Sequence, residues 1–176
     1  MSKTNLFHRV KQTLLLLCLM CSAFGLKAAV VTPEANKTYF IVNKQTGCVL
    51  SNGNSTNTDS PIYCLTREEN NYGQRWTMEL VSDNVYAFRN ELSRMGIDAA
   101  LNGISAGKTP LQYTFDKTNT NQQCHLMSVD GKEGVFQLAY LYKGQTYYMS
   151  LSEETFYTKT VMTTDQTDQY TYFTLE

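Results

Sequence analysis

The chain has few of the residues from which catalytic and metal sites are commonly built. It contains only two histidines, and one of them falls within the first 29 residues. The other, His125, has no Cys-x-x-Cys motif and no Cys/His cluster near it in the sequence. A zinc site or a histidine-based triad would have almost no ligands or bases to use, so we predict no metal and no other cofactor.

Carboxylate pairs suited to glycoside hydrolysis are also scarce. The adjacent pairs are Glu68-Glu69 and Glu153-Glu154, whereas hydrolysis needs two carboxyl groups that face each other across a cleft. Neighbouring residues on a strand point to opposite faces. We therefore predict that the protein is not an enzyme.

The N-terminal segment, residues 1–29, has the pattern of a secretory signal peptide. A basic front precedes an apolar run of 11 residues at positions 14–24, and small residues follow. The run is too short to span a bilayer. Cleavage sites fit after Gly25, Ala28 or Ala29, and the alternative is an anchor that is not removed. We predict a secreted, periplasmic or cell-surface protein.

The remaining segment is weakly acidic. It keeps 11 of the 15 Lys and Arg residues and all 16 Asp and Glu residues, a net charge of −5. Nucleic-acid binding depends on clustered positive charge, so this balance argues against it. No second apolar run approaches membrane-spanning length. We predict a domain without a nucleic-acid partner and without a membrane span.

Residues 36–176 consist of short strand-forming runs. Runs rich in Tyr, Thr, Val and Phe, such as TYFIV, PIYCL, RWTMEL and VFQLAYLY, are separated by clusters of Asn, Gly, Asp and Ser. This spacing is typical of an all-β barrel or sandwich. No low-complexity linker divides the segment, so we predict one domain.

One motif occurs three times, at intervals of about 48 residues. Trp76-Thr77-Met78 is followed by Cys124-His125-Leu126 and then by Phe173-Thr174-Leu175. In the alignment, Gly47 corresponds to Gly96, and Ser60-Pro61-Ile62 corresponds to Thr109-Pro110-Leu111.

The recurrence predicts an all-β fold of the β-trefoil type, with three four-strand repeats related by pseudo-threefold symmetry. The repeats cover about residues 36–82, 83–130 and 131–176. A single four-strand unit cannot bury its apolar face alone, so three units must share one core. The alternative is a β-sandwich of some ten strands, which leaves the recurrence unexplained.

With these motifs, the chain resembles the ricin-B-type β-trefoil lectins, which are marked by Gln-x-Trp. The first repeat has the clearest copy, Gln74-x-Trp76 after Leu50-Ser51. The second keeps Asn121-Gln122 but has Cys124 in place of tryptophan, and the third has lost both Gln and Trp. The resemblance implies a secreted, bacterial-type single domain with degenerate second and third repeats.

The resemblance also implies a carbohydrate site made of an Asp on the second strand, an aromatic on the third and an amide before the last. The second repeat comes closest. Its aromatic position aligns with Thr114, and a one-residue shift would present either flanking ring. The carbohydrate-binding candidates are Asp98, Tyr113, Phe115, Asn121 and Gln122. The alternative interpretation makes Asp98 a surface carboxylate and Asn121 an ordinary loop residue.

Three cysteines lie beyond residue 29: Cys48, Cys64 and Cys124. Many relatives of this type carry a disulfide between the second and third strands, which implies a Cys48–Cys64 bridge here. The alternative is two buried free thiols that act as small apolar residues. Cys124 is predicted to be buried and unreactive.

Two functions fit these observations. The first is a non-catalytic lectin-like domain whose partner is a glycan or glycoconjugate, bound in shallow polar and aromatic sites. The second is a protein-binding β-trefoil, such as a secreted protease inhibitor, acting through the exposed loops 51–60, 67–73 and 116–121.

Overall fold

The structure, a computed structural model, describes residues 33–155 and 157–176. The predicted signal peptide and its cleavage sites lie outside these residues. None of the segments seen is a helix of the length and hydrophobicity needed to cross a bilayer.

In the described part of the chain, thirteen strands pair into one sheet that forms a β-trefoil barrel. In chain order they are β1 Thr38–Tyr39, β2 Ile41–Asn43, β3 Val49–Ser51, β4 Tyr63–Leu65, β5 Trp76–Ser82, β6 Val85–Asn90, β7 Gly96–Asp98, β8 Leu111–Tyr113, β9 Cys124–Val129, β10 Lys132–Tyr142, β11 Gln145–Leu151, β12 Tyr157–Thr163 and β13 Tyr172–Leu175. Short 3-10 turns at Tyr72–Gln74, Thr120–Gln122 and Gln169–Thr171 precede β5, β9 and β13. The predicted all-β trefoil class is confirmed.

The thirteenth strand arises because the first strand of the first repeat is split at Phe40. Tyr39, on β1, pairs with Trp76 of β5, whereas Ile41, on β2, pairs with Leu175 of β13. Phe40 exchanges two backbone hydrogen bonds with Glu176, of 2.8 and 3.0 Å. The strand thus changes partner and joins the first repeat to the last.

The three repeats meet in one apolar core. Trp76, Cys124 and Phe173 begin or lie near the start of the closing strands, and all three are fully buried in the same cluster. A common centre for these residues is what a shared trefoil core requires.

The three closing residues are accommodated differently. The Trp76 indole N–H donates to the Leu50 carbonyl at 3.0 Å, so its one polar group is paired. Phe173 fills similar space without an N–H to satisfy. Cys124 is much smaller than tryptophan. Ala139 pairs with His125 across β9 and β10, which places Tyr140 beside Cys124. Tyr140 is fully buried. A neighbouring ring thus occupies the volume that tryptophan would fill.

The turn after the first strand corrects one predicted correspondence. Gly47 has φ +72° and donates to the Asn43 carbonyl, and Arg94, with φ +62°, donates in the same way to Asn90. Arg94, not Gly96, is therefore the counterpart of Gly47. The sequence alignment failed because arginine rarely adopts this left-handed conformation.

A second correction concerns the third strands. The Ile62 N–H donates to the Pro110 carbonyl, and the Thr160 N–H donates to the Ile62 carbonyl, each at 2.9 Å. These three residues are therefore equivalent, and Ile62 does not correspond to Leu111. The proline lies one position closer to β8 than Pro61 does to β4, so matching the prolines shifted the alignment by one residue.

A disulfide joins Cys48 and Cys64, with their Cα atoms 5.5 Å apart. It links the start of the second strand region to β4 within the first repeat. Cys124 is free and buried, and burial raises the pKa of its thiol to about 12. A thiol that stays protonated is a poor nucleophile, which agrees with the unreactive role predicted for it.

Candidate functional site

The candidate site in the second repeat lies on one face of the β7–β8 pair. Gly96 pairs with Tyr113 and Asp98 pairs with Leu111. Because side chains alternate along a strand, Asp98 and Tyr113 share this face. The Tyr113 ring is half-buried, and Thr114 is exposed.

The position of Tyr113 follows from the corrected register. The Gln74 side chain donates to the Thr66 carbonyl at 2.8 Å, and that of Gln122 donates to the Thr114 carbonyl at 2.9 Å. Thr114 is therefore the counterpart of Thr66. The position that the sequence alignment gave to Thr114 is held by Tyr113, since a one-residue shift moves a side chain to the opposite face.

Asp98 is a buried carboxylate rather than a surface one, with only 1 % of its area exposed. It accepts hydrogen bonds from the Ala100 N–H at 3.1 Å, from the Asn119 amide at 3.2 Å and from the Gln122 amide at 3.4 Å. Burial raises the pKa of Asp98, and these three donors oppose the shift. The alternative interpretation of a solvated carboxylate is thus corrected.

Asn119 and Asn121 belong to the 3-10 turn that covers Asp98. The Asn119 side chain caps the turn by accepting from the Asn121 N–H at 3.0 Å. The Asn121 amide donates to the Ala100 carbonyl at 3.0 Å, and no hydrogen bond to its Oδ1 is seen from the described residues. Asn121 is half-buried, and this oxygen is an acceptor that the described residues leave without a donor.

Gln122 has an architectural position. It is 1 % exposed, donates to the Thr114 carbonyl and accepts from the Asp116 N–H at 3.0 Å. Gln74 makes the same pair of contacts in the first repeat, with Thr66 and Glu68. These bonds tie two backbone groups of the loop to a buried side chain, so Gln122 holds the loop and does not face solvent. This differs from the sugar contact that the family resemblance implied.

Phe115 packs against Gly96, beneath the Arg89 guanidinium. A Cβ on Gly96 would lie 3.1 Å from its ring, and the Arg89 guanidinium lies 5.5 Å from the ring centroid. The ring is half-buried under this cation. The structure therefore brings Asp98, Gln122 and Phe115 together, while Tyr113 shares the strand face of Asp98 and Asn121 lies in the 3-10 turn.

In the third repeat, a side-chain hydrogen bond also joins the second strand to the 3-10 turn, but it connects different groups. Ser150, at the position of Asp98, donates to the Asp168 carboxylate at 2.6 Å, and Asp168 caps its 3-10 turn. In the second repeat the acid is on the strand and the amide is on the turn. In the third repeat the acid is on the turn and a hydroxyl is on the strand.

Two hollows lie beside 3-10 turns in the other repeats. One of about 230 Å³ is lined by Gln45, Thr46, Glu154, Thr155 and Tyr170. A wider one of about 650 Å³ is lined by Asn54, Glu68, Glu69, Asn70, Asn71, Tyr72 and Leu92. Both combine carboxylates, amides or hydroxyls with one tyrosine.

In the second repeat, the corresponding space is narrowed by Tyr142. Its hydroxyl would lie 2.5 Å from a Cβ on Gly103, so only glycine fits there, and Gly103 has φ +95°. The Tyr142 side chain thus packs against the loop at Gly103.

Sequence reasoning did not identify Asn119 or Tyr142 as part of this region. A signal for Asn119 exists, because Asn71, Asn119 and Asp168 each stand three residues before Gln74, Gln122 and Thr171. Asn and Asp are favoured caps, so the recurring spacing marks the cap. Nothing comparable in the sequence marks Tyr142.

The fold is that of a β-trefoil. Residues 29–113 match the family described as Ricin-type beta-trefoil lectin domain-like. The family match and the fold together confirm the resemblance to ricin-B-type β-trefoil lectins. No curated protein matches the chain in sequence.

Solved structures share the fold at low identity. A designed 3-fold symmetric protein, ThreeFoil, is 17 % identical, with a TM-score of 0.70 over 78 % of this chain and 96 % of its own. The ricin B-like lectin of Macrolepiota procera, solved in complex with lactose, is 17 % identical, with a TM-score of 0.67 over 83 % of this chain and 99 % of its own.

An enzyme also appears among the structures with this fold. The exo-beta-1,3-galactanase 1,3Gal43A from Clostridium thermocellum is 18 % identical, with a TM-score of 0.68 over 82 % of this chain. The match covers only 31 % of the galactanase chain. The likeness is therefore one of fold, over part of a larger protein.

Proposed function

We propose that this protein is a non-catalytic glycan-binding module and that its second repeat carries a binding site. The carrying observation is that Tyr113 shares a strand face with Asp98, whose carboxylate is bonded to the turn that carries Asn121. A sugar presents C–H groups on its face and hydroxyl groups on its edge. An aromatic ring for the face and an open amide oxygen for the edge suit both.

In this proposal Asp98 is a positioning residue. Its carboxylate is held by three protein donors and is almost inaccessible. It orients Asn119, which caps the turn that presents Asn121. The sugar hydroxyl donates to the Asn121 Oδ1, and the Tyr113 ring packs against the sugar face.

The absence of catalysis is part of the proposal. Glu68 and Glu69 lie exposed on a loop, where Glu69 pairs with the Arg67 guanidinium at 2.7 Å. Glu153 and Glu154 are also exposed. Glycoside hydrolysis uses two carboxyl groups about 5–10 Å apart across a bound sugar, and adjacent solvated residues do not provide that arrangement.

Export from the cytoplasm completes the proposal. The sequence of residues 1–29 supports it, and so does the Cys48–Cys64 disulfide, because structural disulfides persist in oxidising compartments. Mass spectrometry of protein recovered outside the cytoplasm tests it. A chain that begins after Gly25, Ala28 or Ala29 is expected, and an intact chain retained in the cytoplasm would contradict it.

Binding of the purified protein to a glycan array, at high surface density, tests the main proposal. We expect binding to at least one glycan that free saccharide displaces. Shallow single sites bind weakly, so dense display is needed. An absence of binding to every glycan, combined with inhibition in a protease panel, would favour the protein-binding alternative.

A further inference from the structure

Two Asn-Gly pairs occur in the sequence, Asn52-Gly53 and Asn102-Gly103. In such a pair the backbone nitrogen of glycine can attack the side-chain carbon of asparagine, because glycine has no side chain to shield that nitrogen. The structure places the two pairs in different surroundings. The chain therefore contains a reactive sequence together with its own matched control.

The Asn52-Gly53 pair is held at both reacting groups. Asn52 is fully buried, and its amide donates to the Ser55 carbonyl at 2.7 Å and to the Asn90 Oδ1 at 3.1 Å. The Gly53 N–H donates to the Ser51 hydroxyl at 3.1 Å. Attack of the Gly53 nitrogen on Asn52 would break these bonds, so the folded protein protects this pair.

The Asn102-Gly103 pair lies in a turn after β7 and has fewer restraints. Asn102 is exposed, and no hydrogen bond to its side chain is seen from the residues that the structure describes. The Gly103 N–H points to the Ala100 carbonyl at 3.4 Å. That distance exceeds the range of about 2.7–3.2 Å that is usual for an N–H···O bond. Both the attacking nitrogen and its target are therefore available in the folded state.

The packing around Gly103 keeps the reactive pair in place. A Cβ at this position would lie 2.5 Å from the Tyr142 hydroxyl, and the backbone has φ +95°, so the fold requires glycine here. The Lys108 ammonium donates to the Gly103 carbonyl at 2.9 Å. A positive charge so close to the Gly103 amide favours loss of the N–H proton, which must precede the attack.

We propose that Asn102 is a site of spontaneous deamidation, and that the folded protein reacts there before it reacts at Asn52. The Gly103 nitrogen forms a bond to the Asn102 Cγ and the Cγ–Nδ2 bond breaks. The Nδ2 amide group leaves as ammonia and takes the proton that the Gly103 N–H has lost. Water then opens the cyclic imide at either carbonyl to give aspartate or isoaspartate, and either product adds a negative charge. The proposal is independent of glycan binding.

The modification falls on the loop that supports the 3-10 turn of the second repeat. The Ala100 carbonyl accepts from the Asn121 amide at 3.0 Å, and Ala100 and Ile104 are buried on either side of Asn102. Isoaspartate lengthens the backbone between these two anchors by a methylene group. We therefore expect the isoaspartate form, separated by anion exchange, to unfold at a lower urea concentration than Asn102→Asp, which adds the charge alone.

Incubation of the purified protein in mildly alkaline buffer, followed by tryptic mass spectrometry, tests the proposal. Asn102 is the only asparagine of tryptic peptide 95–108, and fragment ions locate Asn52 in peptide 45–67. We expect the mass change for NH replaced by O at Asn102. Its rate should be more than about tenfold that at Asn52, where the reaction must first break several hydrogen bonds. ¹⁸O taken up from labelled water confirms the hydrolysis step.

Protein unfolded in urea is the control for the structural argument, because both pairs then lose their different surroundings and should react at similar rates. Asn102→Gln should remove the mass change from peptide 95–108, and thermal unfolding shows that this variant is folded. A ratio below about tenfold in the folded protein would overturn the proposal. An unmodified Asn102, under conditions in which the unfolded chain reacts, would overturn it as well.

Discussion

Tyr140 lies beside Cys124 across β9 and β10, at the position that Asn90 holds opposite Trp76 and Asn43 holds opposite Phe173. In the first two repeats the asparagine side chain caps a turn and bonds a neighbouring 3-10 turn. In the third repeat, the tyrosine gives up those bonds and fills the core where tryptophan is missing. One substitution therefore compensates for another in the adjacent repeat.

This relationship predicts a large effect of truncation. Tyr140→Ala should lower the free energy of unfolding by about 3–5 kcal/mol, because it leaves a cavity beside Cys124. Tyr140→Phe should be close to neutral or stabilising, since the buried hydroxyl makes no geometrically sound hydrogen bond and the nearby thiol is a weak acceptor. Urea unfolding measures both. A larger loss for Tyr140→Phe than for Tyr140→Ala would contradict the packing role.

The Cys48–Cys64 disulfide should contribute measurably to stability. It closes a loop with a sequence separation of 16, and a loop of this size corresponds to about 3 kcal/mol in the chain-entropy view. The double variant Cys48→Ala/Cys64→Ala should unfold at a lower urea concentration than wild type. Cys124→Ala is the control for thiol loss, and it should not change the response to a reducing agent.

Gln74 should be important for stability rather than for binding. Gln74→Ala leaves the Glu68 N–H and the Thr66 carbonyl without their protein partner, and each lost hydrogen bond costs about 0.5–1.5 kcal/mol. Chemical denaturation measures the loss. Gln123→Ala is a suitable control, because that side chain makes only an exposed contact with Lys117. Equal stabilities of the two variants would contradict the role of the glutamine.

The buried carboxylate of Asp98 predicts a pH dependence with a definite sign. Burial raises its pKa in the folded protein, so the folded state holds the proton more tightly than the unfolded chain does. That stabilisation is present below the ordinary Asp value and is lost as pH rises through the raised pKa. The unfolding free energy of wild type minus that of Asp98→Asn should therefore fall as the pH rises above the ordinary Asp value of about 4.

The comparison with Asp98→Asn isolates this group. Asp116 and Asp165 have lowered pKa values, because nearby threonines donate hydrogen bonds to them. They therefore make the free energy of unfolding rise with pH, and to the same extent in wild type and in Asp98→Asn. Their contributions cancel in the difference. A difference that rises with pH would mean that the three donors outweigh burial.

The corrected register makes a binding prediction. Tyr113→Ala should weaken glycan binding about tenfold, whereas Thr114→Ala should bind as wild type does, because the two side chains face opposite sides of β8. Surface plasmon resonance on the array-selected glycan compares them. The reverse result would restore the alignment that matched Pro61 with Pro110.

Much of the fold was predictable because the repeated pattern is carried by buried residues. Trp76, Cys124 and Phe173 recur at matched spacing, and each is an apolar residue that a buried position accepts. The register was harder to predict. Pro110 looks like the counterpart of Pro61 but lies one position closer to its strand, and Arg94 stands at a left-handed position where the first repeat has glycine. The candidate site was the least predictable part. Whether Asp98 is open or covered depends on Asn119, which reaches it from 21 positions away.

The acid lies on the strand in the second repeat and on the 3-10 turn in the third, and this difference limits which single substitutions the third repeat can accept. Introducing an aspartate at Ser150 alone, to copy the second repeat, would set it against the Asp168 carboxylate that Ser150 now contacts at 2.6 Å. Two carboxylates at that distance cannot both ionise readily. An engineer who wants to build the Asp98 arrangement into the third repeat must therefore convert Asp168 to asparagine in the same step. In evolution, too, the strand position and the turn position of a repeat can change only as a pair.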